Sequence, residues 1–183
     1  MRYKIKITIL AIHKKEAFTQ KEQEYIHNAS ASAQMVWRLW SMKESAYKIY
    51  TRQYGGRFFA PQKLNCDLFG ETAGHVIING ISYQTITSTA KDYIYSIAGQ
   101  DAFGKNDFYN CCFDLPQEDC ASQQKFIHEK LITHYAEMKD GDKNDFEIIK
   151  CTNNIPFLYC KKEKMKIPVS ITHHGNYAAF TIN

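Results

Sequence analysis

No aspartate precedes Asp67 in this sequence of 183 residues, and no acidic residue of either kind precedes Glu16. The opening stretch, MRYKIKITILAIHKK, therefore offers no carboxylate to a metal or to acid–base chemistry. Spaced cysteine pairs are missing too. Cys66, Cys111, Cys112, Cys120, Cys151 and Cys160 contain no CxxC, and two of them are adjacent, which argues against a structural zinc site and against a secreted disulfide framework. Reduced thiols and a cytoplasmic location are the expectation. The N-terminal apolar run, Ile7 to Ile12 interrupted by Thr8, is about six residues, too short for a signal peptide or a membrane span. Nine glycines and four prolines, with no repeat or low-complexity tract, exclude a fibrous chain or a flexible linker.

What is present reads as one folded domain over 1–183. Apolar residues make up 44% and charged residues 23%, an ordinary globular balance with enough chain to bury a core. The net charge of +4 favours an anionic partner but falls short of the basic density of a dedicated nucleic-acid binder. Twelve tyrosines and eleven phenylalanines could stack on RNA bases. They form no RNA-binding motif, so neither nucleic acid nor membrane is expected as a partner.

The first residues alternate as a strand, with Tyr3, Ile5, Ile7 and Ile9 on one side. Thr19 followed by Glu22 is a capping-box pattern that starts a helix. A long helix is expected from Ala33 to Tyr54, ended by Gly55-Gly56. Short strands follow in KLNCDL, GHVIIN and ISYQTITST, with Asn79-Gly80 as a hairpin turn, and then in AKDYIYSIAG. Ser122 is the expected cap of a helix over Gln123 to Met138, with Ile127, Leu131, His134, Tyr135 and Met138 on one face. The tail reads as DFEIIKCT, a turn at Asn153-Asn154, IPFLYC, KIPVSITHHG and NYAAFTI. The fold class is α+β: a long helix packed on an antiparallel sheet formed largely by the C-terminal strands.

The long helix contains an anomaly. Wound at about 100° per residue, it places Val36, Leu39, Trp40, Ala46, Tyr47 and Tyr50 on an apolar face, with Lys43 among them. A lysine can lay its stem along a core and lift its ammonium to water. Glu44 and Lys48 lie four apart on one flank, the spacing of a solvated helix ion pair. SITHHG offers Ser170, Thr172 and His173 at a glycine turn. A carboxylate for a divalent cation, two ammonium groups, hydroxyls and an imidazole together suit a pyrophosphate and the transfer of a phosphoryl-type group.

Four blocks at these positions resemble the 4'-phosphopantetheinyl transferase superfamily, in the short holo-acyl-carrier-protein synthase arrangement. They are FTQKEQEYI, WSMKESAYK, DFEIIKCTNNIPFLYC and VSITHHGNYAAF, which are similar in order to the family's LT-x-x-E segment, its W/F-x-x-K-E-A-x-x-K helix, its F-x-x-I-E-V…N-G-x-P-x-L hairpin and its S-I-S/T-H strand. The resemblance covers 18–59 and 145–182, with an enlarged middle region of about 64–140. It implies a transferase that moves 4'-phosphopantetheine from coenzyme A to a serine of an apo acyl or peptidyl carrier protein. The reaction would need Mg²⁺, release adenosine 3',5'-bisphosphate and serve fatty acid or polyketide biosynthesis.

Carried over residue by residue, the resemblance makes Glu44 the metal ligand and places Lys48 near the phosphates or the attacking serine. His173 would sit beside the CoA diphosphate with Ser170 and Thr172, and Lys43 would direct its charge into the CoA cleft. Lys14, Lys15, Lys21, Arg38 and Arg52 are expected to steer an acidic carrier protein. Short members form homotrimers with CoA between subunits, an arrangement the enlarged middle could instead cover.

One departure stands out. The family's first strand carries a G-x-D aspartate as second metal ligand, where this sequence reads KIKITILAI. Either the aspartate lies upstream, or another acid or water substitutes, or the chain is a degenerate paralogue that binds CoA or a carrier protein without transfer. Asn-Asn-Ile-Pro in place of Asn-Gly-x-Pro is a milder difference.

Overall fold

A computed structural model describes residues 17–56, 58, 60–101, 103–104, 108–151 and 154–182. The expected N-terminal strand, Lys14, Lys15 and Asn153 lie outside the described residues. Among the described residues, three α-helices and nine strands in two antiparallel sheets make an α+β fold. The chain divides into two compact units, one up to Phe103 and one from Gly104, with the boundary inside the enlarged middle region.

In the first unit, helices α1 (Gln20–Asn28) and α2 (Ser32–Tyr54) accompany a sheet of β1 (Leu64–Phe69), β2 (Ala73–Ile78), β3 (Ile81–Thr89) and β4 (Ile94–Gly99), in the order β1-β2-β3-β4. The capping box is complete: Thr19 Oγ1 accepts from Glu22 N at 3.3 Å, and Thr19 N donates to Glu22 Oε2 at 2.8 Å. Gly55, at φ 69°, ends α2 in a backbone region that glycine occupies without strain. Asn79 and Gly80, both at positive φ, form the turn between β2 and β3, as the sequence signal required.

Helix α2 packs on this four-stranded sheet, which is formed from the middle of the chain and not from the C-terminal strands expected to form its partner. It buries Val36, Leu39, Met42 and Ala46 against Leu64, Cys66, Val76, Ile78 and Tyr83. The helix comes so close that a Cβ on Gly74 would sit 2.7 Å from Met42 Cε and 2.6 Å from the Asp67 carbonyl oxygen. Only a glycine tolerates that approach. The buried stripe is rotated from the expected one toward Met42 and Arg38, leaving Trp40 and Tyr47 half-exposed. Arg38 is itself buried, and its Nη2 donates to the carbonyls of Gly70 (2.9 Å) and Ala73 (3.0 Å), clamping the β1–β2 turn.

Lys43 does not lift its ammonium to water. The Nζ donates to Glu22 Oε2 at 2.7 Å, to the Ala17 carbonyl at 3.0 Å and to the Pro61 carbonyl at 2.8 Å. The side chains of the pair are 3% and 0% exposed. An ammonium has three donors, and all three are used. Glu22 is equally engaged, because its Oε1 accepts from Cys66 N at 2.8 Å on the outer side of edge strand β1. Phe18 closes the assembly, its ring centroid 5.3 Å from the Lys43 Nζ. Burial beside the Glu22 carboxylate pushes the Cys66 thiol well above its ordinary pKa, so that it remains a neutral packing group.

The second unit places α3 (Cys120–Met138) on a five-stranded sheet of β5 (Tyr109–Asp114), β6 (Phe146–Lys150), β7 (Pro156–Cys160), β8 (Met165–His174) and β9 (Tyr177–Ile182), ordered β5-β9-β8-β7-β6. Leu131 and Tyr135 meet Leu158, Ile167, Val169, Phe180 and Ile182, and Ile127 meets Leu115 and Ala178. Met138, expected in that face, is exposed. The cap is Asp119 rather than Ser122: its carboxylate accepts from Ala121 N at 2.8 Å and Ser122 N at 3.1 Å. A carboxylate reaches the free N–H groups of the first turn and opposes the helix dipole, whereas the Ser122 hydroxyl donates to that same carboxylate.

Three outcomes follow from this packing. Asp119→Ala should lower the midpoint of urea unfolding, and Ser122→Ala clearly less, because only the aspartate accepts from the helix amides. Lys43→Met alone should cost about 3–5 kcal/mol by leaving the Glu22 carboxylate buried without its cation, and adding Glu22→Gln should recover part of that loss. Asp67, hydrogen-bonded to Lys21 and to His75 Nε2 (3.1 Å), holds its carboxyl below the usual range chiefly through Lys21. The native state thus binds this proton more weakly than the unfolded chain. Its stabilisation should be present above the unfolded carboxylate pKa and vanish as pH falls through the depressed native one. Tm measured from pH 6 toward pH 3 should therefore fall less steeply in Asp67→Asn than in the wild type.

Candidate active site

Helix α2 has two charged outcomes on consecutive residues. Lys43 faces the core, and Glu44, about 100° further round the helix, faces away from it. Glu44 Oε1 lies 3.0 Å from Lys48 Nζ, with side chains 42% and 33% exposed. The pair is formed as its spacing required. It sits on the flank shared with the half-exposed Trp37 and Trp40. One turn on, Thr51 Oγ1 donates to the Lys48 carbonyl at 3.1 Å. Toward the sheet, Ser41 joins Ser96 of β4 at 2.7 Å, and Ser96 joins Thr87 of β3 at 2.9 Å, so hydroxyls fix the same helix flank laterally.

The donor chemistry at Glu44 is that of a hard cation. Among the described residues no three His, Cys, Asp or Glu side chains gather into a metal cluster. Mg²⁺ characteristically takes one or two protein carboxylates and completes its octahedron with water and substrate phosphates. A single reachable carboxylate beside an ammonium fits a cation that arrives with a diphosphate.

Ser170, Thr172 and His173 lie in the second unit on β8, where the two-residue period of a strand separates them. His173 continues the side of Ile167, Val169 and Ile171, the side packed with α3, while Ser170 and Thr172 point to the opposite face. His173 pairs with Ala178 near the end of the β8–β9 hairpin and is exposed. Ser170 pairs with Thr181, and both are half-buried. The hydroxyls and the imidazole, adjacent in sequence, therefore do not line one surface of the sheet.

The steering residues also divide. Lys21 is engaged by Asp67, and Arg38 is consumed in the β1–β2 turn. Burial lowers the Arg38 pKa from its ordinary value, the signature of a desolvated guanidinium rather than one offered to a partner. Sequence reading missed two features. Glu22 was recognisable as a cap residue but not as the counter-ion of Lys43, although a lysine in an apolar stripe needs an acceptor. Asp67 and His75 face each other directly across β1 and β2, a pairing visible only once the register is known.

Among the described residues no helix is long and apolar enough to cross a membrane. No curated protein and no solved structure matches the chain. Residues 6–98 do match the model of a protein family. The matched segment takes in α1, α2 with its Lys43-Glu44 pair of opposite fates, and nearly all of the four-stranded sheet. It spans slightly more than half of the 183 residues, and by it the chain belongs to the 4'-phosphopantetheinyl transferase superfamily.

Proposed function

We propose that this protein transfers the 4'-phosphopantetheine group of coenzyme A to a serine of an apo acyl or peptidyl carrier protein, releasing adenosine 3',5'-bisphosphate. The observation that carries the reading is the family match across α2, the helix that holds Glu44 and Lys48 together at a solvent-facing flank. Glu44 would hold Mg²⁺, which when bound supplies charge neutralisation on the diphosphate oxygens. Lys48 offers an ammonium to the same phosphates. From the pair with Glu44 it can turn to a phosphate oxygen without leaving the helix flank.

Phosphoryl-type transfer asks little covalent chemistry of a protein and much positioning and charge. The serine oxygen attacks the β-phosphorus of CoA, the bond to the bridging oxygen breaks, and adenosine 3',5'-bisphosphate departs with that oxygen. The serine proton leaves to a base or to water. Charge is distributed to suit such reactants: thirteen basic and eight acidic residues occur up to Phe103, against ten and eleven after it. An anionic nucleotide and an acidic carrier protein are both drawn to the first excess.

The test is direct. The chain is incubated with apo-carrier proteins, CoA and Mg²⁺, and the carrier is examined by intact mass for one added phosphopantetheine. Modification supports the transferase. CoA or carrier binding without modification of any carrier replaces it with a binding protein that has lost transfer. Glu44→Gln keeps the shape and removes the charge, and should lower turnover by at least about 10²-fold, as loss of a group that stabilises transition-state charge does. Lys48→Ala should fall by about 10-fold or more on the same grounds. Both variants should unfold with wild-type cooperativity, since each side chain is partly exposed.

A further inference from the structure

The fully engaged ammonium of Lys43 has a consequence beyond stability. Its three acceptors come from three separate places: the chain ahead of α1 at Ala17, the first turn of α1 at Glu22, and the chain beyond α2 at Pro61. Arg38 and Ser41 make polar contacts before Lys43, and Tyr47, Tyr50 and Gln53 make hydrogen bonds in the last turns; beside Lys43 itself, the middle of the α2 interface is Leu39, Met42 and Ala46 on aliphatic and aromatic partners. Hydrophobic burial is non-directional, so by itself it resists a small roll of the helix weakly. A buried ammonium held to three oxygens of fixed position resists it strongly, because a roll would leave donor and acceptors unpaired in a dry site.

We infer that Lys43 is a positioning residue for the proposed transferase site. Resting on that reading, it sets the azimuth at which α2 presents Glu44 and Lys48 to the diphosphate. The geometry makes the effect large. A helix with its side chains is about 10–12 Å across, so a roll of about 10° carries a side-chain tip through about 1 Å. A displacement of about 1 Å at a reacting centre can cost about 10²-fold in rate. Lys43 reaches no solvent from which a substrate could approach, so its influence passes through the backbone to its neighbour.

Both tryptophans of the chain, Trp37 and Trp40, lie on α2, which makes the helix its own reporter. The full chain labelled with fluorotryptophan is compared with the double variant Lys43→Met, Glu22→Gln, in which no charge is left unpaired. The single variant Glu22→Gln keeps the carbonyl anchors at Ala17 and Pro61 and a capping-box glutamine. Fluorine resonances are read first, then kcat and the KM for CoA under conditions where thermal unfolding shows the variant folded.

The double variant should shift both resonances and lose about 10²-fold in kcat with KM for CoA little changed. Glu22→Gln, which keeps the two carbonyl anchors but removes the counter-ion, should lie between the wild type and the double variant in both. Resonances at wild-type positions with undiminished kcat in the double variant would overturn the inference, as would a uniform rise in KM without loss of kcat. If the double variant does not fold, Lys43→Gln, which keeps two donors, takes its place with the same two readouts and the same decisive outcomes. A wild type that modifies no carrier brings down the transferase reading alone, and the fluorine resonances then decide the positioning.

Discussion

A lysine ammonium sealed in an apolar interface is the constraint around which the first unit is built. Burying a charge is costly unless it is paired and every donor is met. Here the solution requires Glu22, Ala17 and Pro61 to converge on one point. That convergence dictates where α1 begins and where the chain returns after α2. The carboxylate that answers the ammonium is also the second half of a helix capping box and the partner of an edge-strand amide. One side chain therefore joins α1, α2 and β1. An apolar pair of the same volume could match its stability, but could not tie down three backbone segments at once.

The edge strand gains from the same arrangement. A strand such as β1 exposes a row of N–H and C=O groups to any passing chain. Glu22 occupies the Cys66 amide, and α2 lies over the side chains of Leu64, Cys66 and Leu68. On the next residue, Asp67 binds Lys21 of α1 and His75 of β2. The strand is thus held by α1 on its open side and by its sheet partner on the other. Its close seating beneath α2 depends on Gly74, where any Cβ would strike the Asp67 carbonyl.

Much of this was legible in the sequence, for identifiable reasons. Thr19 and Glu22, Gly55 and Asn79-Gly80 are local signals whose physics lies within a few residues, and each does what its spacing implied. The Glu44–Lys48 pair is likewise local. What the sequence hid was non-local. The partner sheet of α2 is chosen by shape, through Gly74 and Met42, and neither residue advertises the other. The cap of α3 went to Asp119 because an acceptor one turn earlier outcompeted the hydroxyl of Ser122. Ser170, Thr172 and His173 look like a cluster in one dimension, and the pleat of β8 divides them. Lys43 was visible as an anomaly. Its answer, Glu22, lay twenty-one residues away in a segment that already had a sufficient local explanation.

The consecutive residues Lys43 and Glu44 show why the pattern has to be adjacent and helical. On a strand, neighbours point to opposite faces, and the two charges would share neither a surface nor a flank. On a helix they are about 100° apart, far enough for one to enter the core while the other reaches water, and close enough for the backbone between them to carry any displacement. The lysine can then be spent entirely on the fold, and the glutamate kept at the solvent-facing flank. A residue inserted between them would swing Glu44 and Lys48 together a further 100° or so around the axis relative to Lys43, so that the pair would leave its present flank. The charge that anchors and the charge that would act are thus bound into one rigid turn, in which the stability of the core and the aim of the site are set by the same few atoms.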